Sequence, residues 1–441
     1  MRILIISGLF DLELVGGQSL RNTVEGFVRN GHTVDLISMF PEGFDNIVPS
    51  AAAPTGVTVR RLPGALVPLM RLAKSLKNIA GHWGAISDPS RESVEYEADY
   101  LDEYNVAGRL LYIVYQYAIC LPVQAVRILL KLRALRPDLL YGLNAHGAVV
   151  ASLLGRLIKR PVVTRFYGVP APDKAFQSPL WMLWYFDEVA PLKMKADLVV
   201  LTDDGSRGAE KVSRFGVDPA KIRSWMNGFD PTDLKPPLHP DKSAAKARLR
   251  LTAKHVFFMC SRLERCKRVD RGIRLFHEVS KLLDEDTCML LIAGQGPEQQ
   301  KLEELDRELD GVGKVEFLGG VPHGHLSMYY SASDVFLNFY DGANLGNPVI
   351  EALSFGLPIA SIANGSTDAL LEDGRNAILL RTDELLQQGA PRIADLVSTP
   401  GRLAQYSEAA REAFQHSVLT WQRRMDVEVD ELERLVAAKS N

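Results

Sequence analysis

Short β-branched runs alternate along this chain with longer stretches whose apolar residues recur every three or four positions. In the first half the runs Ile3–Ile6, Val34–Met39, Val57–Arg61, Asp138–Tyr141, Val162–Phe166 and Leu198–Leu201 read as strands. Ser19 to Asn30 reads as a helix, with Gly31 standing where a left-handed residue ends it. Strands that alternate with helices build βαβ units, and these stack into a parallel, doubly wound sheet.

The rhythm is broken once. Asp230 to Ala245 carries four prolines among polar residues and reads as a linker. The alternation then restarts: strands at Val256–Cys260, Cys288–Ala293, Val315–Leu318, Asp334–Phe339 and Pro358–Ile362, with a helix over Val269–Leu283. The expected fold is therefore α/β: two Rossmann-like doubly wound domains, residues 1–235 and 246–415. A charged amphipathic helix within 416–441 is expected to dock back on the first domain. Ligands of such sheets sit beyond the carboxyl ends of the strands, which places the expected site in a cleft between the two domains.

Length agrees with this division, since 441 residues exceed what one core of roughly 200 residues encloses. Hydrophobic residues at 46% and charged residues at 24% describe a globular chain. The net charge of -3 gives no sign of a nucleic-acid partner. Cys120, Cys260, Cys266 and Cys288 form no CxxC pair, and a chain of this size seldom relies on disulfides, so a reducing, cytoplasmic location is expected. Leu110 to Val123 is the most apolar stretch. Gln116 and Pro122 interrupt it, and its length suits a buried core helix rather than a membrane span.

Four groups of residues carry candidate chemistry. Gly16 and Gly17 follow the first strand, where two glycines let backbone amides approach an anion; a tight turn serves equally. Arg262 and Lys267 lie just beyond the strand Val256–Cys260, well placed for a diphosphate, although such a loop is also an ordinary solvated surface. Asn344-Leu345-Gly346-Asn347 precedes a helix whose N-cap is expected at Asn347 and whose first residue is Pro348. One turn into that helix stands Glu351. A carboxylate among apolar neighbours needs a partner; paired ribose hydroxyls would provide one, and so would the helix dipole. His146, after the strand Asp138–Tyr141, is a candidate for a cleft-facing histidine or a packed surface one.

Taken in order, these pieces resemble the retaining GT-B-fold glycosyltransferases that include glycogen synthase, sucrose synthase and many bacterial polysaccharide transferases. Cys260-Ser261-Arg262-Leu263 with Lys267 resembles the family's phosphate element, and Leu291 to Pro297 its G-x-G-P turn, with Gly296 as second glycine. Val315-Glu316-Phe317-Leu318-Gly319 resembles the strand whose backbone reads the nucleotide base, Ser333-Asp334-Val335-Phe336 the A-D-V-F strand, and Asn227-Gly228-Phe229-Asp230 the end of the first domain. The resemblance implies a glycosyltransferase that uses a nucleoside diphosphate sugar, UDP favoured and GDP open, with no cofactor and no metal. His146, Arg262 and Lys267 would be catalytic. Gly16, Gly17, Gly296, Leu318, Asn344, Leu345, Gly346, Asn347 and Glu351 would join the cations in donor binding.

There are departures. The family has two glutamates eight positions apart; the second matches Glu351, but the first falls on Ala343. Its first-domain histidine falls on Leu143, three residues before His146, and its T-x-H-G element appears as Arg165-Phe166-Tyr167-Gly168. A non-catalytic GT-B subunit is the alternative these departures raise. The acceptor is open between a glycan, a lipid-linked molecule and a small molecule. Two acid-free basic stretches, Arg60 to Ala80 and Arg109 to Arg136, are interleaved with apolar residues; they suit peripheral contact with a membrane's inner face or helices packed on the sheet. The acidic run Arg91 to Glu103 would oppose tight lipid contact if it lay beside these stretches.

Overall fold

A computed structural model describes residues 1–8, 18–41, 54–79, 105–169, 171, 173–236, 241–283, 287–309, 312–342, 344–363, 367 and 370–440. Gly16, Gly17, Ala343 and the acidic run 91–103 lie outside the described residues. The chain forms two compact units. The first comprises Met1–Asp203, Arg207–Asn227 and Trp421–Asn441; the second comprises Asp204–Ser206 and Gly228–Thr420. The chain passes between units after Asn227, ahead of the proline-rich stretch rather than within it.

The first unit is a seven-stranded parallel sheet in the order β3-β2-β1-β4-β5-β6-β7. Its strands are β1 (Arg2–Ser7), β2 (Thr33–Pro41), β3 (Val57–Leu62), β4 (Leu139–Leu143), β5 (Val162–Phe166), β6 (Leu198–Thr202) and β7 (Ile222–Trp225). β1 is covered on both faces, with alternate residues facing opposite layers. Ile3 and Ile5 pack with Val24, Phe27, Met425 and Val429 from the helices Gln18–Arg29 and Trp421–Ser440. Leu4 and Ile6 pack with Ile128, Leu132, Val150 and Leu154 from the opposite layer. The C-terminal helix thus belongs to the first unit, and Gly26 is what lets it approach: a Cβ there would stand 2.4 Å from Met425 Cγ.

Beneath this helix lies a buried ionic knot. Glu428 accepts from Arg165 Nη1 at 3.3 Å and from Arg424 Nη1 at 2.8 Å, and Tyr141 donates its hydroxyl to the same carboxylate. Burial alone would push the Glu428 carboxyl up; Arg165 and Arg424 outweigh it and hold the group below the usual carboxylate range.

The apolar stretch expected to be a buried core helix is different. It is part of a 30-residue helix, Val106–Leu135, with a π turn over Tyr115–Cys120. By length and composition this helix is apolar enough to cross a membrane. One face, including Leu121, Ile128 and Leu132, is buried in the first unit's core, while Leu111 is 56% and Leu130 70% exposed.

The second unit is a six-stranded parallel sheet in the order β10-β9-β8-β11-β12-β13. It is built from β8 (His255–Cys260), β9 (Cys288–Ala293), β10 (Lys314–Gly319), β11 (Val335–Asn338), β12 (Ile359–Ile362) and β13 (Ala377–Leu380). β7 and β13 go beyond the strands expected from the pattern.

Candidate functional site

In the second sheet the chain runs β8, β9, β10 in one direction, then returns to place β11 on the other side of β8. The carboxyl ends of β8 and β11 therefore flank the topological switch point, where a doubly wound sheet opens a crevice for ligands. Four of its loops gather there, after β8, β9, β10 and β11.

The loop after β8 is zipped to the loop after β9. Ser261 N donates to Ala293 O at 3.0 Å, Leu263 N to Gln295 O at 3.1 Å, and Glu298 N to Leu263 O at 3.1 Å. Such closeness demands glycine. A Cβ on Gly294 would stand 1.8 Å from Ser261 O, and one on Gly296 would stand 2.3 Å from Leu263 O. Gly296 thus acts by letting the Arg262 loop lie against the neighbouring turn.

Two cations are held on this platform. Arg262 extends into solvent with Nη1 2.6 Å from Glu264 Oε1. Lys267 ends a 3-10 turn, and its Nζ lies 3.9 Å above the Tyr340 ring. Burial lowers the Lys267 pKa, and the positive charge of Arg262 lowers it further. At the end of β8, burial, and then the Glu351 carboxylate, push the Cys260 thiol up to about 12, which keeps it in the thiol form.

The loop after β11 is fixed from several sides. Asp341 accepts from Arg268 at 3.3 Å and Arg271 at 2.7 Å, and its N–H donates to Cys266 O at 3.2 Å. Its carboxylate is engaged inside the loop cluster. Asn344 is fully buried; its Nδ2 donates to Tyr340 O at 3.0 Å, and its Oδ1 accepts from Asn338 Nδ2 at 3.2 Å. The Asn344 side chain thus braces the loop from within. Leu345 is buried too, its N–H donating to Asp204 O at 2.8 Å. The helix begins one residue earlier than its sequence suggests: Gly346 is the N-cap, Asn347 the first helical residue and Pro348 follows. Ile350 N and Val349 N both turn back to Gly346 O.

Glu351 is buried at 6% exposure in that helix, Asn347–Ser354. Its Oε1 lies 2.9 Å from His323 Nε2, and its Oε2 accepts from the Tyr330 hydroxyl at 2.9 Å. His323 comes from the loop after β10 and Tyr330 from the helix Leu326–Ala332. Burial, with Glu351 beside it, keeps the Tyr330 hydroxyl protonated far above its ordinary range. These two residues hold the carboxylate at one angle, and sequence reasoning missed both. Leu318 stands at a register shift between β10 and β9, where the ladder steps from Phe317 to Gly319. Gly319 O takes the N–H of Gly294.

The first unit has its own switch point, between β1 and β4. His146 lies in the first turn of the helix Asn144–Ile158, wedged against the end of β1: a Cβ on Gly8 would be 2.7 Å from His146 Cβ, and one on Gly147 would be 2.2 Å from Ile6 O. Its Nε2 is 3.8 Å from Asp187 Oδ1. Asp187 also accepts the hydroxyls of Tyr112 and Tyr117, each at 3.0 Å, and Tyr117 sits edge-on to the imidazole. Arg165, part of the segment that replaces the family's T-x-H-G element, lies within the ionic knot. Among the described residues no group of three or more His, Cys, Asp or Glu side chains could hold a metal ion.

Two parallel-sheet units of this order make the GT-B fold. Residues 241–413, within the second unit, match the family model for glycosyl transferases group 1. Among curated relatives, the α-monoglucosyldiacylglycerol synthase of Acholeplasma laidlawii is 26% identical over 163 residues, which is 37% of this chain and 40% of that protein. The chain spans less than half the length of the curated relatives it matches first. The structure of sucrose-phosphate synthase from Thermosynechococcus elongatus shares the fold with a TM-score of 0.70 at 19% identity, covering 99% of both chains. Anabaena HepE in complex with UDP-glucose gives a TM-score of 0.65 at 16% identity, covering 98% of this chain and 100% of that one.

Proposed function

We propose that this protein moves a sugar from a nucleoside diphosphate sugar to an acceptor hydroxyl, retaining the anomeric configuration and using no metal. The observation that carries the reading is the placement, at one switch point inside the segment matched to the group 1 family, of two cations on the loop after β8 with a braced, buried carboxylate. Arg262 and Lys267 take the diphosphate. Glu351 takes the two ribose hydroxyls, and the bulged backbone at Leu318 reads the base. The backbone at Gly346 and Asn347 faces the sugar.

As the bond from the anomeric carbon to the diphosphate oxygen breaks, negative charge grows on the leaving group. Fixed cations stabilise that charge more than the ground state. The acceptor oxygen bonds to the anomeric carbon on the face the diphosphate leaves, and the acceptor proton passes to a departing phosphate oxygen, so the step balances without a protein base. UDP is the preferred base because the structural neighbour HepE is solved with UDP-glucose. A lipid-linked acceptor is preferred over a glycan or a small molecule because a relative is named for glucosylating diacylglycerol. Both preferences point to the cytoplasmic face of a membrane as the place of work.

Lys267→Ala and Arg262→Ala should each slow transfer by about 2–4 kcal/mol of lost transition-state stabilisation. Nucleotide release from a panel of UDP- and GDP-sugars with acceptors present is the measurement; wild-type turnover in both variants contradicts the assignment. Ala343, where the family has a glutamate, favours a second reading: a subunit that binds the nucleotide without catalysis. Tight UDP binding with no sugar transferred or hydrolysed from any donor would select it.

A further inference from the structure

The outer face of the helix Val106–Leu135 is the most unusual surface among the described residues. Leu110, Leu111, Val114, Val126 and Leu130 stand between 48% and 70% exposed, and the adjacent helix Asn144–Ile158 adds Leu157 at 63%. At 1.5 Å per residue the stripe from Leu110 to Leu130 runs about 30 Å along one side of the first unit. Isolated exposed leucines are ordinary; a continuous apolar stripe of this length marks a contact surface.

Its charge is equally one-sided. From Val106 to Arg160 the sole acid is Asp138, and that carboxylate is turned to the sheet, accepting Arg2 N at 2.7 Å. Arg127, Arg133, Arg156, Lys159 and Arg160 are exposed around the apolar stripe. Basic side chains on flexible stems beside apolar ones reach acidic headgroups while the leucines enter the acyl boundary. The opposite face of the long helix is locked in the core through Leu121, Ile128 and Leu132, so the helix lies on a bilayer and does not cross it. A second copy is the poorer occupant, because two such basic faces repel.

We infer that the helices Val106–Leu135 and Asn144–Ile158 form a docking surface for a bilayer containing anionic phospholipid. The inference rests on exposure and charge. It deepens the acceptor reading above without depending on it, since nucleotide binding belongs to the other unit.

The test is flotation of the full chain with phosphatidylcholine vesicles and with vesicles of phosphatidylcholine and phosphatidylglycerol. The chain should float with the anionic vesicles, sediment with the neutral ones, and be released by high salt. Leu110→Ser/Leu130→Ser/Leu157→Ser should lose most of the binding. Arg127→Glu/Arg133→Glu/Arg156→Glu should weaken it roughly fivefold or more for each basic side chain removed. Unchanged thermal midpoints and UDP titrations in both variants keep misfolding and donor-site loss apart from loss of docking. No flotation with anionic vesicles, flotation that both variants retain, or a concentration-dependent dimer that the serine variant dissolves would each overturn the inference.

Discussion

At the scale of single residues, the proposed site depends on what holds its charged groups as much as on the groups themselves. Tyr330→Phe leaves Glu351 Oε2 without its buried donor, which should cost about 1–3 kcal/mol of stability in urea unfolding and lower UDP affinity as well. Gly296→Ala drives a methyl into the Leu263 carbonyl; it should destabilise by about 1–3 kcal/mol and displace Arg262, so that thermal midpoint and nucleotide affinity fall together. The places of Arg262 and Lys267 after a strand, and of Glu351 at a helix start, were legible in the sequence from the strand–helix pattern around them. His323 and Tyr330 were not. They reach Glu351 across 28 and 21 residues, from two elements whose own patterns carry no trace of that meeting. The helix start moved from Asn347 to Gly346 because the extended backbone of Gly346 already supplies the carbonyl that Val349 and Ile350 turn back to.

At the scale of elements, strands buried on both faces were the most legible, since β1, β4, β8 and β9 are nearly continuous apolar runs. β7 and β13 are short, and their partly polar or flanked patterns hid them. The helix Val106–Leu135 was misjudged because an apolar run does not say which of its faces is covered. The C-terminal helix was expected to dock back, but the knot that fastens it was not foreseen: Arg165 was read only as a departure from a motif. Glu428→Gln strips two buried arginines of their counter-charge and should cost the first unit about 3–5 kcal/mol. The pH dependence follows from the depressed Glu428 carboxyl. Its stabilisation is complete above the unfolded value, near about 4.3, and is lost as pH falls through the lower folded value. Urea midpoints should therefore drop more steeply on acidification in the wild type than in Glu428→Gln; parallel curves would remove Glu428 as a source of that dependence.

At the scale of the whole molecule, the sequence conveyed two α/β units because the strand–helix rhythm stops and restarts once. It misplaced the passage between them because proline-rich composition marks irregular chain, not the point where contacts change hands; the short helices Pro231–Leu234 and Lys242–Arg248 both lie in the second unit. The division also separates the two proposed roles, nucleotide recognition in the second unit and bilayer contact in the first, so each can be lost without the other. The central claim is that the second unit's switch point binds a nucleoside diphosphate through Lys267 and Glu351. Calorimetric titration of the wild type, Lys267→Ala and Glu351→Gln with UDP and with GDP tests it most directly. Saturable one-to-one binding of at least one nucleotide to the wild type is expected, tighter for UDP, with at least tenfold weaker binding to each variant, which corresponds to about 1.4 kcal/mol. Equal affinities in all three proteins, or no binding of either nucleotide to the wild type, would contradict it.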